Sequence, residues 1–426
     1  MLRMWSLVKA SILMVLLAAS TVASQSATLR TPEEETRDYL SRLSPEERAR
    51  SDAYFEGGYW LQLLDFLYGL GVALVLLATG LSRRVRDLAA RITHRGRVRP
   101  LGTALYAAFY ILASAILSFP LLVYTGFFRE HRYGLSNQTF GPWFQERITA
   151  LAVALVILGL LLVLLYTIFR RAPKTWWIWG SVVSLSTLAL TSLIAPVYIM
   201  PLFNDYRPLS VPELRDNILA MARANGIPAE EVYEFDASRQ SKRISANVSG
   251  ILGTMRISLN DNLLSRCTPQ EVRSVMGHEM GHYVLNHAYE GLLFFGVLLL
   301  VGFAFLRWGY RAAQRRFGER WGIGGIEDEA GFPLLAAVLS VYFFFATPLI
   351  NTFVRANEVE ADLFGLNATR EPEGFAEVAL KLGEYRKLDP GPLEEWIFFD
   401  HPSGRARIEM AMRWKAEQAL LQSHAP

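Results

Sequence analysis

A chain of 426 residues has room for two or three soluble domains, but 52% of its residues are apolar and only 19% charged. So few charges cannot cover soluble domains of this size, which excludes an ordinary soluble enzyme and points to several membrane spans. The net charge is only +3, with no basic stripe to suggest nucleic acid, and the lone Cys267 excludes an intrachain disulfide and a cysteine-rich structural zinc site.

Residues 1–24 carry Arg3 and Lys9, then an apolar stretch and small residues, as either a cleaved signal peptide or an uncleaved first span does. Residues 25–58 are polar, and within them T-P-E-E-E and S-P-E-E-R each offer an N-cap, Pro at N1 and acids in the first turn. They predict two short surface helices. Four apolar spans follow at 59–81, 101–127, 148–169 and 176–199, together forming a membrane region over 59–199. Hydropathy then drops over 200–287 to that of a soluble insert. Two more spans lie at 288–306 and 332–353, within 288–354, and the tail 355–426 reads as soluble helices. The count is six spans, or seven if the first segment is retained. The fold class expected is a mainly α membrane protein with a small α+β domain inserted before its last two helices.

Inside the insert, residues 211–225 have the apolar spacing of a helix, and 231–235 and 256–259 alternate as strands do. Thr268 to Glu271 form a capping box with Pro269 at N1, opening a helix that reads G-H-E-M-G-H-Y-V-L-N-H over 277–287. His278 and His282 are four residues apart, so they share one helix face and both imidazoles can reach one metal ion. Two neutral imidazoles suit Zn²⁺, and the adjacent Glu279 is placed to take a proton from water. This is the H-E-x-x-H arrangement of the zincins.

A catalytic zinc site needs a third protein ligand, and a carboxylate commonly supplies it. The stretch N-T-F-V-R-A-N-E-V-E-A-D-L-F-G over 351–365 places Glu358 and Asp362 on one helix face. Glu358 is the candidate ligand, and Asp362 the candidate partner for the second nitrogen of an imidazole. The competing reading is a solvated acidic helix start. The lone Cys267 is expected to be inert rather than nucleophilic.

These motifs together resemble the CAAX prenyl protease 1 family, integral-membrane zinc metalloendopeptidases of the gluzincin type. The resemblance extends from H-E-x-G-H and the later R-x-x-E-x-x-A-D to four further stretches. E-H-R-Y-G-L-S-N-Q-T at 130–139 resembles the family's E-x-x-x-G-F-N-x-Q-T, and M-P-L-F-N-D-Y-R-P-L at 200–209 its A-P-L-F-x-x-x-x-P-L. Ser241-Lys242-Arg243 with Asn247 resembles S-K-R-x-x-x-x-N with a gap one residue shorter, and His401-Pro402 with Arg407-Ile408 resembles H-P-x-x-x-x-R-[IL]. The resemblance implies seven membrane helices enclosing a chamber capped by the zinc domain. It implies His278, His282 and Glu358 as ligands of one zinc ion and Glu279 as general base. Asp362 and His287 become supporting residues, His401 a contact to substrate or oxyanion, and Asn247 and Arg407 substrate-binding residues. The stretch A-N-V-S-G-I-L-G-T at 246–254 lacks the aromatics of the family's edge strand, so the chemistry carries over but the substrate preference does not.

The activity expected is peptide-bond hydrolysis on peptide or protein substrates at a lipid bilayer, in C-terminal (CAAX-like) processing or membrane-protein quality control. An inactive scaffold or chaperone of the same fold is the alternative, against which the intact Glu279 stands. A transporter is a third reading, suggested by Asp65 inside a span but short of further ionisable span residues. For orientation, the basic stretches 83–99, 170–174 and 307–320 are separated by even numbers of spans and can share the cytoplasmic side. That places the catalytic domain outside the cytoplasm of a bacterial cell membrane, whereas analogy with eukaryotic relatives places it inside.

Overall fold

Each capping box in the sequence starts a helix, and two of those helices carry the polypeptide into the membrane or to the metal motif. A computed structural model describes residues 30–93, 99–249 and 255–423. The signal-peptide-or-span question at 1–24 lies outside the described residues. Thr31 caps α1 (Pro32–Ser41), and Ser44 caps α2 (Pro45–Ala78), each with its Glu at N3 closing the box. The second polar helix expected within 25–58 is therefore not separate. Nothing between Glu47 and Ala78 breaks the helix, so those polar turns are the first turns of a 34-residue helix whose later part spans.

After the amphipathic α3 (Leu81–Ile92), α4 starts at Arg99 and runs to Val123, then continues through a π-turn at Tyr124–Phe128 to Arg132. Pro120 lies in the last turn of regular α-helix, so proline and π-turn both stand where this helix can kink. Next come α5 (Phe140–Arg171) and α6 (Trp176–Ile194). The insert holds β1 (Tyr206–Pro208), α7 (Pro212–Ala224), β2 (Val232–Phe235), β3 (Ala246–Ser249), β4 (Arg256–Asn260), α8 (Asp261–Arg266) and α9 (Pro269–Val284). Two long helices follow, α10 (His287–Trp321) and α11 (Phe332–Thr369), then α12 (Pro372–Leu382), α13 (Pro392–Phe398) and α14 (Gly404–Ser423). Among the described residues six helices are long and apolar enough to cross a membrane.

Those six pack in a closed circuit: α2 on α4, α4 on α5, α5 on α6, α6 on α10, α10 on α11, and α11 back on α2. At one end of the circuit the basic stretches meet an acidic loop. Arg86 bonds Asp328 at 2.8 Å, Arg170 bonds Glu329 at 2.7 Å, and Ser82 donates to the Ala330 carbonyl at 2.8 Å. The metal motif is at the other end, since α10 leads from His287 to Trp321 over 35 residues, a rise of about 50 Å.

The sheet order is β1-β2-β4-β3, with β2 and β4 parallel and the outer pairs antiparallel. One side of β3 pairs with β4 and the other is a sheet edge. Val232, Ile257, Leu259 and Leu263 pack against Val272, Met276 and Met280 of α9, so the metal helix is seated on the sheet through an apolar face. The expected strand at 231–235 and helix at 211–225 lie within a residue or two of β2 and α7. The three-residue β1 had no sequence signal. The edge stretch 246–254 is described only to Ser249, so residues 250–254 stand outside the described residues.

Candidate active site

The site is made where α9 crosses α11. Gly277 and Gly281 on α9 face Ala361 and Gly365 on α11, and a Cβ on Gly281 would lie 3.1 Å from the Ala361 Cα. Small residues at i,i+4 on both helices let the backbones approach closely. The next residues round each helix then meet: His278 and His282 from α9, Glu358 and Asp362 from α11.

His278 Nε2 and His282 Nε2 are 3.2 Å apart, and each lies 3.3 Å from an oxygen of Glu358. A tetrahedral zinc with bonds of about 2.0–2.1 Å has ligand atoms about 3.3–3.4 Å apart. The three side chains thus hold the separations that one metal ion requires, with donor atoms all within 4.8 Å of one another. The other ring nitrogens are already committed. His278 Nδ1 is 2.7 Å from Asp362 Oδ1, and His282 Nδ1 is 2.8 Å from His287 Nδ1. These bonds leave the Nε2 atoms to point inward, as metal-binding imidazoles are usually held. His287 Nε2 in turn lies 3.4 Å from Glu360.

Burial acts to lower the His278 pKa, but the hydrogen bond and charge of Asp362 outweigh it and push it up to about 9. A cation binding here therefore competes with a proton. Glu279 lines the cleft beside His278 and has no hydrogen-bond partner among the described residues. Burial raises its pKa, with the charges of His278 and His282 opposing.

Arg407, expected at the substrate, lines the cleft with a largely buried guanidinium that bonds Asp362 at 2.8 and 2.7 Å and Glu358 at 3.4 Å. It holds the two carboxylates on α11 in position from α14. His401 comes to the site from the loop after α13, its Nε2 3.3 Å from Glu358 and its Nδ1 2.8 Å from Asp400. Asn247 stands on β3 opposite Ser258, its amide oxygen accepting from Ser249 at 3.1 Å. The cleft wall includes Ser245 and Ala246 and stops short of Asn247.

Two of the quoted stretches meet behind this cleft. Glu130 bonds Arg243 at 2.7 Å, and Tyr54 of α2 joins both, at 2.7 and 2.8 Å. Backbone bonds from Asn137 to Gln240 and from Lys242 to Leu135 tie the 130–139 loop to the lead-in of β3. Tyr54 carried no message at the sequence level, and the small residues of the α9–α11 crossing were not read there, although the G-x-x-x-G spacing in G-H-E-M-G could have signalled a close helix approach.

Comparison with known proteins gives the same picture along the chain. Residues 208–415 match the model of peptidase family M48, and residues 25–205 match that of the CAAX prenyl protease N-terminal domain with five membrane helices. A Bacillus subtilis protein described as the uncharacterized metalloprotease YhfN is 30% identical over 383 residues, covering 88% of this chain and 87% of its own. The CAAX prenyl protease 1 of Saccharomyces cerevisiae is 33% identical over 184 residues, 42% of this chain and 40% of its own. The crystal structure of Ste24p from S. mikatae shares the fold, with a TM-score of 0.73 at 23% identity over 87% of this chain and 89% of that one. The chain belongs to peptidase family M48, carries the CAAX prenyl protease N-terminal membrane region, and is a multi-pass membrane zinc metalloprotease.

Proposed function

We propose that this protein is an endopeptidase in which His278, His282 and Glu358 hold one zinc ion and Glu279 is the general base. The observation that carries the reading is the set of three donors at 3.2–3.3 Å, with the raised carboxyl of Glu279 in the same cleft. Zinc, when bound, supplies Lewis acidity toward water and the scissile carbonyl. Glu279 takes a proton from the attacking water and returns it to the leaving amine as the C–N bond breaks. His401, held through Nδ1 by Asp400, turns Nε2 toward the oxygen that becomes negative. Asp362 and His287 fix the imidazole rings, and Arg407 fixes Asp362.

A substrate strand adds beside the free edge of β3, where backbone bonds give affinity with little sequence demand. Asn247 stands at that edge and contacts the added strand. The natural substrates include peptides or proteins of the membrane, in C-terminal processing or quality control. The basic end of the helix circuit faces the cytoplasm, so catalysis takes place on the opposite side of a bacterial cell membrane.

The purified protein is expected to hold about one zinc per chain and to cleave peptides until a chelator removes the metal. Glu279→Gln keeps the zinc and loses turnover by several orders of magnitude. Near-normal turnover in that variant would remove Glu279 from the mechanism.

A further inference from the structure

Among the charged groups lining the cleft, most are spent within the protein. Arg407 is bound to Asp362 and Glu358, Asp362 also to His278, and His401 to Asp400. Arg386, in the turn after α12, differs. Among the described residues its guanidinium has no hydrogen-bond or ion-pair partner. Burial first, then the nearby charge of Arg407, hold its pKa below the ordinary arginine value. The groups that favour its charge are the Tyr385 phenol, Asp400 and Glu358, and both carboxylates are committed, to His401 and to the two imidazoles. A guanidinium keeps its proton and offers five donors in a fixed fork. Half-buried at the cleft wall with no anion bonded to it among the described residues, this fork is available to pair with one from outside.

Its place in the fold is equally particular. Arg386 borders the metal cleft of about 190 Å³, a narrow pocket beside His401, and a cavity of about 420 Å³ against Tyr54 and Tyr59 of α2. The arginines that share the last cavity are engaged, Arg243 with Glu130 and Arg129 with the Tyr54 carbonyl. Ser245 and Ala246, at the start of the β3 edge, wall the same cleft as Arg386. A peptide lying on that edge is therefore within the guanidinium's compartment.

We propose that Arg386 is a specificity determinant of this cleft, receiving a carboxylate of the substrate peptide in a forked, charge-assisted pair. The carboxylate is the C-terminal one or an Asp or Glu side chain. The proposal rests on the reading that the cleft binds a peptide.

The test measures binding, so that turnover does not enter. Full-length protein carrying Glu279→Gln, in detergent, is titrated with three matched peptides. One ends in a free carboxylate, one in an amide, and one in an amide with an internal Glu. At least one carboxylate peptide is expected to bind about tenfold or more tightly than the neutral one. Adding Arg386→Gln brings that ratio close to one, while Arg386→Lys keeps part of it. Whichever peptide shows the advantage identifies the source of the carboxylate. Binding without a carboxylate preference, or a preference unchanged by Arg386→Gln, would overturn the proposal and leave the peptidase reading in place. An equal loss for all peptides in both Arg386 variants would assign the residue to structure and overturn it too. Failure of every protein to bind any peptide would sink both readings.

Discussion

Gly365 lies against the backbone of His278: a Cβ on Gly365 would sit 2.8 Å from the His278 nitrogen. Backbone cannot yield as a side-chain tip can, so Gly365→Ala must part α9 from α11. Overpacking of this kind costs about 1–3 kcal/mol. Here it also separates Glu358 from the imidazoles. The expected result is a lower Tm and weaker zinc retention on dialysis against a chelator. Gly291, whose Cβ would meet nothing within 4 Å, is the control, and equal zinc loss in Gly291→Ala would dismiss the close approach as the cause.

The carboxylates of α11 divide by what they touch. Glu358→Gln removes a donor and is expected to abolish tight zinc binding. Asp362→Asn breaks contacts to both His278 and Arg407, with an expected loss of about 10–100-fold in affinity or activity. Glu360, 58% exposed and 3.4 Å from His287, is expected to matter little as Glu360→Gln. Zinc content and peptide turnover of the three proteins decide it, and matching losses at Glu358 and Glu360 would refute the ligand assignment.

Cys267 offers a pH-dependent reading outside the metal site. Burial pushes its thiol up to about 11, with Lys381 opposing and Glu271 assisting. At pH 8 roughly one molecule in a thousand carries the thiolate, against about a quarter for a free cysteine. Alkylation by iodoacetamide is expected to be slow at pH 8 and to rise about tenfold per pH unit up to about pH 11. A rate at pH 8 equal to that of free cysteine would show an activated thiol instead.

Orientation is decided by fusions to the C-terminus. Two of the basic stretches meet the acidic loop at one end of the helix circuit through Arg86–Asp328 and Arg170–Glu329, and the third, 307–320, leads into that loop. With that end cytoplasmic, alkaline phosphatase fused after Pro426 is expected to be active, and a fluorescent protein exported there by the Sec route to be dark. The opposite pair of results would place the catalytic end in the cytoplasm.

Much of the site could be read before any coordinates, because local spacing carries it. His278 and His282 share a helix face by their interval alone, and Glu358 with Asp362 by theirs. Span ends were less legible, since hydropathy records contact with lipid while caps and breakers set where a helix stops. Thus α2 starts at Pro45 and α10 runs on to Trp321, far past the apolar stretches. Arg407 and Arg386 were the hardest to place. Whether a guanidinium is tied to Asp362 or left without a partner depends on which distant segments meet, and no periodicity reports that.

On the proposed ligand set, the crossing of α9 and α11 also sets when the site can form during biosynthesis. His278 and Glu358 are eighty residues apart in the chain, and α10 together with most of α11 comes between them. A nascent chain that has delivered H-E-x-x-H has two imidazoles and a base but no third donor. Only after the last of the six apolar helices has emerged and packed against α9 are these three side chains brought together. On this reading, competence to cut peptide bonds is deferred until the six apolar helices are complete.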